Sequence, residues 1–430
     1  MPVFQRVRGM RDFLHEESKT MKYIEKVTRE LAYLYGYEEV ITPIVESYEL
    51  LAAKAGEEIR QRMYVFEDLG GRKVALRPEF TASIARLIAT TLRNKPKPLR
   101  LYCFGSLYRY DEPQYGRFRE FWQSNYELVG SAKPEADAEI LMLTIDLMER
   151  LGFKNYTFKI GHVGILRGVL SQEGVKEEQQ NRLLQLIDKK QLDDALKTLQ
   201  EYKASSKCLK ILEKIFETKG KDIAKIVKKA KEAVKGYEQA ENSLENLQQI
   251  LDLIKENETK CEFYVDIGFA RGLEYYTGSI YEVLVPELEI SVGGGGRYDR
   301  LVELFGGEPT PAVGIAHGID RLMLAMEKQK IKPKIQEEGR VAIIPISEEL
   351  KKQALKLSQE LRNAGIPVEM EVMGRTVSRT LQDADRRGIS HAIIIGPEEF
   401  KTGKVVLRDM KKRQQKTIPL ETLKEQLHME

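Results

Sequence analysis

Apolar and polar positions in the first 165 residues follow helical spacing in some stretches and strand-like runs in others. Glu16 and Glu17 open a helical stretch that closes near Gly36, which predicts a helix over 16–35. β-branched and aromatic runs predict strands over 37–43 (interrupted by Pro43), 73–77, 99–108 and 121–129, with a helix over 79–91. This irregular order favours an α+β fold, with a mostly antiparallel sheet and flanking helices, over a doubly wound sheet.

The pattern changes twice further along the chain. Residues 171–258 are rich in Lys, Glu, Gln and Leu and contain no proline, which predicts a helical insertion. Strand-like sequence resumes from 261 to about 298, and a helix is expected over 310–328. The predicted sections are a core in two parts (1–170 and 259–328), the insertion (171–258), a polar linker (329–339) and a separate α/β domain (340–430).

The last section has the regular alternation of a small α/β domain. Gly365 and Gly388 stand where helices are expected to end. The predicted order is strand 341–346, helix 348–363, strand 366–372, helix 376–387 and strand 391–395.

Composition indicates a water-soluble protein of several domains. The chain has 430 residues, of which 42% are hydrophobic and 31% charged. No apolar run approaches the length of a membrane span, and the first residues lack the apolar core of a secretory signal. Cys103, Cys208 and Cys261 are scattered, so neither a disulfide framework nor a paired-cysteine metal site is expected. A reducing cytosol is therefore the expected compartment.

Charge is distributed unevenly along a chain whose net charge is only +3. Residues 203–235 carry eleven lysines against four acidic residues, and 340–430 carries 17 basic against 13 acidic residues. Local basic surfaces on a near-neutral chain fit a polyanionic partner that touches selected patches. Solvated helical faces explain the lysines equally well.

The stretch Arg271–Gly278, of sequence RGLEYYTG, carries the most distinctive chemistry and lies between two predicted strands. An arginine entering a sheet is costly unless it meets an anion, and two tyrosines supply aromatic walls with hydroxyls. A ligand pocket is one interpretation, and a surface hairpin with a solvated arginine is the other. No P-loop, Rossmann glycine pattern or H-E-x-x-H motif is present.

A second polar loop joins the strands predicted at 99–108 and 121–129. Arg109 and Arg117 stand on either side of it, so both could reach phosphates, and its aromatic residues could stack on a purine. The only tryptophan of the chain, Trp122, also lies here.

Residues 104–123 closely resemble motif 2 of the class II aminoacyl-tRNA synthetases. Arg77–Thr81 resembles the RPE-x-T element of the histidyl, prolyl and threonyl branch, and Gly314–Leu322 is similar to motif 3. Pro43 resembles the motif 1 proline found at dimer interfaces. The stretch 271–278 and the glycine run 293–299 are similar to signatures of the histidyl-tRNA synthetase family. The resemblance covers residues 4–430.

This resemblance implies an enzyme that activates histidine with ATP and Mg²⁺ and then charges tRNA(His), as a cytoplasmic homodimer. It implies that ATP meets Arg109 at the α-phosphate, Arg321 at the γ-phosphate and Arg117 at the distal phosphates. Arg271 would lie between the histidine carboxylate and the α-phosphate. Histidine would meet Glu79 and Thr81 at its amino group, Gln123 near its carboxylate, and Glu127, Tyr275 and Tyr276 at its imidazole. The last section would be an anticodon-binding domain.

Single residues keep simpler interpretations from the sequence. Glu127 could be a salt-bridge residue at a strand edge, and Gly293–Gly296 could be only a flexible turn. Tyr275 and Tyr276 would point to opposite faces if they lay in a strand, so that one would pack in the core. His317 is expected to be a packed residue, not a ligand.

The resemblance also leaves competing functions. A regulatory subunit of ATP phosphoribosyltransferase has the same core but generally lacks the last domain and degrades the ATP-site arginines, which are present here. A synthetase-like nucleic-acid sensor without adenylation activity is another alternative. A prolyl, threonyl or glycyl synthetase is a third, and the stretch 271–278 disfavours it.

Overall fold

The structure is a computed structural model that describes residues 4–53, 55–113, 116–257, 261–271, 275–288, 290–334 and 339–428. The chain forms two compact units, over Met1–Lys334 and Ile335–Glu430. Among the described helices, none is both long and apolar enough to cross a membrane.

The first unit mixes long helices with strands of two to ten residues. In chain order it begins with α1 (His15–Leu34), β1 (Glu38–Glu39), β2 (Val45–Ser47), α2 (Tyr48–Ala52), α3 (Glu57–Gln61), β3 (Val65–Glu67), β4 (Lys73–Leu76), α4 (Thr81–Ala89), β5 (Leu99–Tyr108), β6 (Glu120–Val129) and α5 (Pro134–Leu151). It continues with β7 (Thr157–His162), α6 (Val163–Gln172), α7 (Glu177–Asp188), α8 (Leu192–Glu201), α9 (Ser206–Glu217), β8 (Lys219–Gly220), α10 (Ile223–Ala233), α11 (Glu238–Glu256), β9 (Glu262–Asp266), β10 (Ser279–Leu284), β11 (Gly293–Arg297), α12 (Leu301–Leu304), β12 (Ala312–Gly318) and α13 (Ile319–Lys328).

A large sheet organises this unit. Over the described residues its strand order is β1-β5-β6-β12-β11-β10-β7-β9-β8. Among the strand pairs that the structure describes in this sheet, only β1–β5 and β7–β9 are parallel. The expected mostly antiparallel sheet with flanking helices is therefore confirmed, and β6, β12 and β11 lie in its interior.

Helix α5 shows how the sequence covers the sheet. Its large buried apolar side chains run from Ile140 to Leu151 and cover more than one side of the helix, because α5 packs against α1 and α11 as well as against the sheet. Each such side chain contributes about 1.5–3 kcal/mol on burial. The helix ends at Gly152, whose φ of +98° is readily adopted by glycine.

Two sequence-based assignments of elements are wrong. The strand expected over 37–43 is reduced to β1, because Pro43 lacks an N–H and the Thr42 carbonyl accepts from the Arg77 guanidinium instead of a neighbouring strand. The helix expected over 310–328 begins only at Ile319, since the first half is strand β12, paired with β6 and β11. A strand buried on both faces is apolar throughout and resembles a helix in sequence.

The stretch predicted as a helical insertion contains helices α7 to α11 and the two-residue strand β8. Helix α11 packs against α5 and α6, so its apolar residues belong to the same core as the large sheet.

The second unit is a five-stranded sheet, over the described residues, with helices around it. Its elements are β13 (Val341–Pro345), α14 (Lys351–Asn363), β14 (Val368–Met370), α15 (Val377–Arg386), β15 (His391–Ile395), α16 (Pro397–Lys401), β16 (Lys404–Asp409), β17 (Gln414–Pro419) and α17 (Leu423–His428). The strand order is β14-β13-β15-β16-β17, parallel up to β15 and antiparallel beyond. Gly365 and Gly388 follow helices with φ of +80° and +64°, as the sequence predicts.

Candidate active site

A cavity of about 360 Å³ opens over the middle of the large sheet. Its walls come from β6, β11, β12, the start of α4 and the loop after β5. All ten side chains predicted for the site line it: Glu79, Thr81, Arg109, Arg117, Gln123, Glu127, Arg271, Tyr275, Tyr276 and Arg321. Gln114, Tyr115, Gly272, Leu273 and Glu274 of the two sequence stretches lie outside the described residues.

The glycine run forms strand β11 and is not a flexible turn. β11 pairs with β10 on one side and β12 on the other. A Cβ added at Gly294 would lie 1.9 Å from Nη1 of Arg271, and one added at Gly295 would lie 2.0 Å from the carbonyl oxygen of Gly314. Glycine is therefore required at these two positions, because any side chain there would displace Arg271 or the neighbouring strand.

Arg271 does not belong to a surface hairpin. The strands on either side of its stretch, β9 and β10, are separated in the sheet by β7. Its Nη1 donates to the Tyr281 carbonyl at 3.0 Å and lies 3.4 Å from Oε1 of Glu282. Burial, the largest single influence, would lower the pKa of Arg271, but Tyr276, Glu282, Asp188 and Tyr275 together raise it, so the guanidinium is a permanent cation at the cavity wall.

Two further arginines, Arg109 and Arg321, present cations to the cavity. Arg109 Nε donates to the Pro78 carbonyl at 2.9 Å and Arg321 Nη1 to the Ser291 carbonyl at 2.8 Å. Within the described ranges neither side chain forms an ion pair. Burial, then the charges of Arg117, Arg109 and Arg271, lowers the pKa of Arg321 to about 10. This concentration of positive charge favours binding of a polyanion.

An acidic end of the cavity is built around Glu127, which is buried in the interior strand β6 and is not a strand-edge salt-bridge residue. It accepts hydrogen bonds from the hydroxyls of Thr81 (2.8 Å) and Tyr298 and from the amide of Asn125 (3.3 Å). Burial raises the pKa of Glu127 to about 7 against the lowering effect of these donors. Glu79 accepts the backbone N–H groups of Thr81 and Ala82 where α4 begins.

Tyr275 and Tyr276 both line the cavity, with ring centroids 4.8 Å apart. They precede strand β10, so strand alternation does not set their directions. Tyr276 is nevertheless buried and belongs to the hydrophobic core, as one interpretation of the sequence expects for one of the pair, whereas Tyr275 is only partly buried.

His317 is a packed residue, as expected. It is fully buried between Ser124 and Thr144, whose hydroxyls lie 3.3 and 3.2 Å from its two ring nitrogens. Burial lowers the pKa of His317 to about 3, which keeps the imidazole neutral.

Sequence reasoning assigned no role to several residues that complete the cavity. Tyr298 follows the glycine run, and Asn125 lies two residues before Glu127. Their closeness in sequence to a motif is the one feature that could have indicated a place in the site. Asp188, at the end of α7, also lines the cavity and acts electrostatically on Arg271. Helix α7 of the predicted insertion therefore reaches the site, which no local pattern indicates.

Comparison with known proteins agrees with this geometry. A family model described as "Histidyl-tRNA synthetase" matches residues 9–322, and one described as "Anticodon binding domain" matches 340–429. The chain belongs to the histidyl-tRNA synthetase family. The histidine–tRNA ligase of Methanocaldococcus jannaschii is 42% identical over 424 residues, covering 98% of this chain and 99% of the relative.

Solved structures show the same fold over the chain. Histidyl-tRNA synthetase from Nostoc sp. PCC 7120 matches with a TM-score of 0.79 and 25% identity, over the full length of both chains. A Bacillus halodurans protein described as an "ATP phosphoribosyltransferase regulatory subunit/histidyl-tRNA synthetase" matches with a TM-score of 0.76 and 26% identity, covering 89% of this chain and 97% of that one.

Family membership confirms the prediction made from the motifs. The regulatory-subunit alternative is not favoured, because the histidine–tRNA ligase relative matches almost the whole chain, including the region of the anticodon-binding model.

Proposed function

We propose that the chain is a histidine–tRNA ligase, which activates histidine with ATP to histidyl-adenylate, releasing pyrophosphate, and then transfers the histidyl group to the 3′ end of tRNA(His). The observation that carries the proposal is one cavity lined both by several arginines, of which Arg109, Arg271 and Arg321 are half-buried, and by the buried acceptor Glu127. ATP is a substrate of aminoacyl-tRNA synthetases as a class, and the arginines supply the charge its phosphates require.

The proposed first step needs positioning more than proton transfer. The histidine carboxylate is already an anion at neutral pH, and it attacks the α-phosphorus while pyrophosphate leaves. Negative charge then gathers on the phosphoryl oxygens, where Arg109 and Arg271 stabilise it. Arg321 and Arg117 hold the γ-phosphate and distal phosphates, and the adenine stacks among the aromatic residues of β6 and the preceding loop.

Histidine binds at the acidic end in this proposal. Glu79 and Thr81 hold its amino group, and Gln123 lies on the carboxylate side. Tyr275 and Tyr276 flank the imidazole, and Glu127 accepts its N–H. An apolar amino acid would leave the buried carboxylate of Glu127 unpaired, which is the physical basis of selectivity.

Mg²⁺ is proposed to arrive with ATP. The described residues contain no cluster of three or more His, Cys, Asp or Glu side chains able to form a metal site. Mg²⁺ is commonly held by substrate phosphates, waters and one or two carboxylates, so it needs no such cluster. Bound there, it would neutralise phosphate charge beside the arginines.

The tRNA is proposed to contact the lysine-rich stretch 203–235 with its acceptor arm. The domain over 340–430 would bind the anticodon, with Arg375, Arg379, Arg386 and Arg387 meeting phosphates on or near α15. The proposed domain limits remain those of the sequence: 1–170 and 259–328 for the core, 171–258 for the insertion and 329–339 for the linker.

A homodimer formed around Pro43 is proposed, in the cytosol. Ile41 is 90% exposed, and Ile44 and Val45 beside it are also exposed, an apolar grouping that a second copy would cover.

The cysteines Cys103, Cys208 and Cys261 are free thiols, which suits a reducing compartment.

Exchange of labelled pyrophosphate into ATP tests the function directly. We expect exchange that depends on histidine, and on addition of tRNA we expect acid-stable charging of the tRNA. Exchange supported by proline or threonine in place of histidine would contradict the specificity, and exchange with no amino acid would contradict the reaction.

The pKa of Glu127 predicts how histidine use depends on pH. As the carboxylate ionises around pH 7, kcat/KM for histidine should rise with pH and level off above about pH 8. The imidazole of free histidine titrates near 6.5, so the wild type must be compared with Glu127→Gln. We expect the variant to have a lower kcat/KM for histidine, and to show only the rise with pH that the imidazole of free histidine causes. If kcat/KM of the two proteins depends on pH in the same way, the assignment of Glu127 is contradicted.

A further inference from the structure

The segment before α1, called here the N-terminal strap (residues 4–13), contains a turn at Arg8–Gly9 and is tied to the loop between β5 and β6. The backbone N–H of Arg119 donates to the Gly9 carbonyl at 2.9 Å. Gly9 has a φ of +84°, and a Cβ there would lie 2.6 Å from Cγ of Arg119. Arg8 forms an exposed ion pair with Glu112 in the same loop. The strap therefore follows the loop closely.

Arg11 of the strap connects two walls of the cavity through Asp320. Its Nη2 lies 2.5 Å from Oδ1 of Asp320, in the first turn of α13. The other oxygen, Oδ2, accepts the backbone N–H of Trp122 in β6 at 2.7 Å. The Asp320 side chain is only 3% exposed, so this pair is shielded from solvent and fixes α13 against β6.

Arg11 also packs against the aromatic part of the loop. Its guanidinium carbon lies 4.2 Å from the ring centroids of both Phe13 and Phe118. Phe118 lines the cavity, so the strap holds a cavity wall from behind.

Two of the side chains that Arg11 contacts directly, Asp320 and Phe118, adjoin arginines assigned to the ATP phosphates. Arg321 directly follows Asp320 in α13, and Phe118 directly follows Arg117 in the loop. The histidine end is held by other contacts, chiefly those of Thr81 and Tyr298 with Glu127.

We propose that Arg11 is a positioning residue for ATP, which sets Arg321 and the loop carrying Arg117 and Phe118 in place without touching either substrate. This proposal rests on the proposed function. It assigns to the strap a role in nucleotide affinity that is separate from amino-acid recognition.

Steady-state pyrophosphate exchange with Arg11→Gln tests the proposal. We expect the KM for ATP to rise by about tenfold and the KM for histidine to change by less than about twofold, since only one end of the site loses its support. Arg11→Lys keeps the charge but not the planar stack and should recover part of the loss. The matched control is Arg6→Gln, the same charge change at an exposed strap position.

A double-mutant cycle shows whether Arg11 acts through Asp320. The double variant Arg11→Gln/Asp320→Asn should raise the KM for ATP no more than the more harmful of the two single substitutions does. Fluorescence of Trp122, which lines the cavity, reports histidine binding and hence an intact site in each variant.

The proposal would be overturned if Arg11→Gln left the KM for ATP unchanged, raised both KM values equally or abolished histidine binding. It would also be overturned if the effects of Arg11→Gln and Asp320→Asn on the KM for ATP were additive. A wild type without histidine-dependent exchange would overturn the proposed function instead.

Discussion

Replacement of Arg271 by alanine should lower kcat for histidine-dependent pyrophosphate exchange by about 100- to 1000-fold. The guanidinium lines the cavity beside Tyr276 and Glu282. There it can face the oxygens on which charge develops as the carboxylate attacks. Since that interaction strengthens in the transition state, kcat should fall much more than the KM for histidine rises.

Two further variants separate the charge of Arg271 from its shape. Arg271→Lys keeps a cation but loses the two-pronged donor geometry, so an intermediate loss is expected. Arg300→Ala removes an arginine that does not line the cavity and whose side chain is 70% exposed in an ion pair with Glu177, so it should leave kcat within about twofold. A fall in kcat of less than tenfold for Arg271→Ala would show that this cation is not at the reacting phosphate.

The sequence was sufficient for elements with strong local signals. Helix α1 and the long strands β5 and β6 lie within about a residue of their predicted limits, because each has an uninterrupted periodic or β-branched pattern. The ten site residues could be named because they stand in long, specific motifs. Their convergence on one cavity depends on strand order, which periodicity alone does not encode.

Interactions between distant segments could not be predicted. Arg11 and Asp320 are 309 positions apart, and neither carries a local sign of the other. Asp188 reaches the cavity from a helix whose sequence indicates only a solvated, amphipathic element. Strand β12 was assigned to a helix because a strand buried on both faces lacks the polar alternation of an exposed one.

Alanine at two adjacent glycines of β11 should have opposite consequences. At Gly294 the added Cβ would lie 1.9 Å from Nη1 of Arg271, the end of a flexible side chain that can move aside. Gly294→Ala should therefore fold normally but displace Arg271, and a shift of about 1 Å at a catalytic group can cost about 100-fold in rate. The melting temperature should change by only a few degrees.

At Gly295 the added Cβ would meet backbone, 2.0 Å from the Gly314 carbonyl oxygen and 2.7 Å from Cα of Ile315. Neither atom can move without separating β11 from β12 in the centre of the sheet. Overpacking of a core costs about 1–3 kcal/mol when side chains can adjust, so Gly295→Ala should exceed that range or fail to fold. Denaturant unfolding and exchange activity measured on both variants decide the matter. A stable Gly295→Ala protein would show that β11 is not packed so tightly between its neighbours, and a fully active Gly294→Ala protein would show that Arg271 does not need the space that glycine leaves.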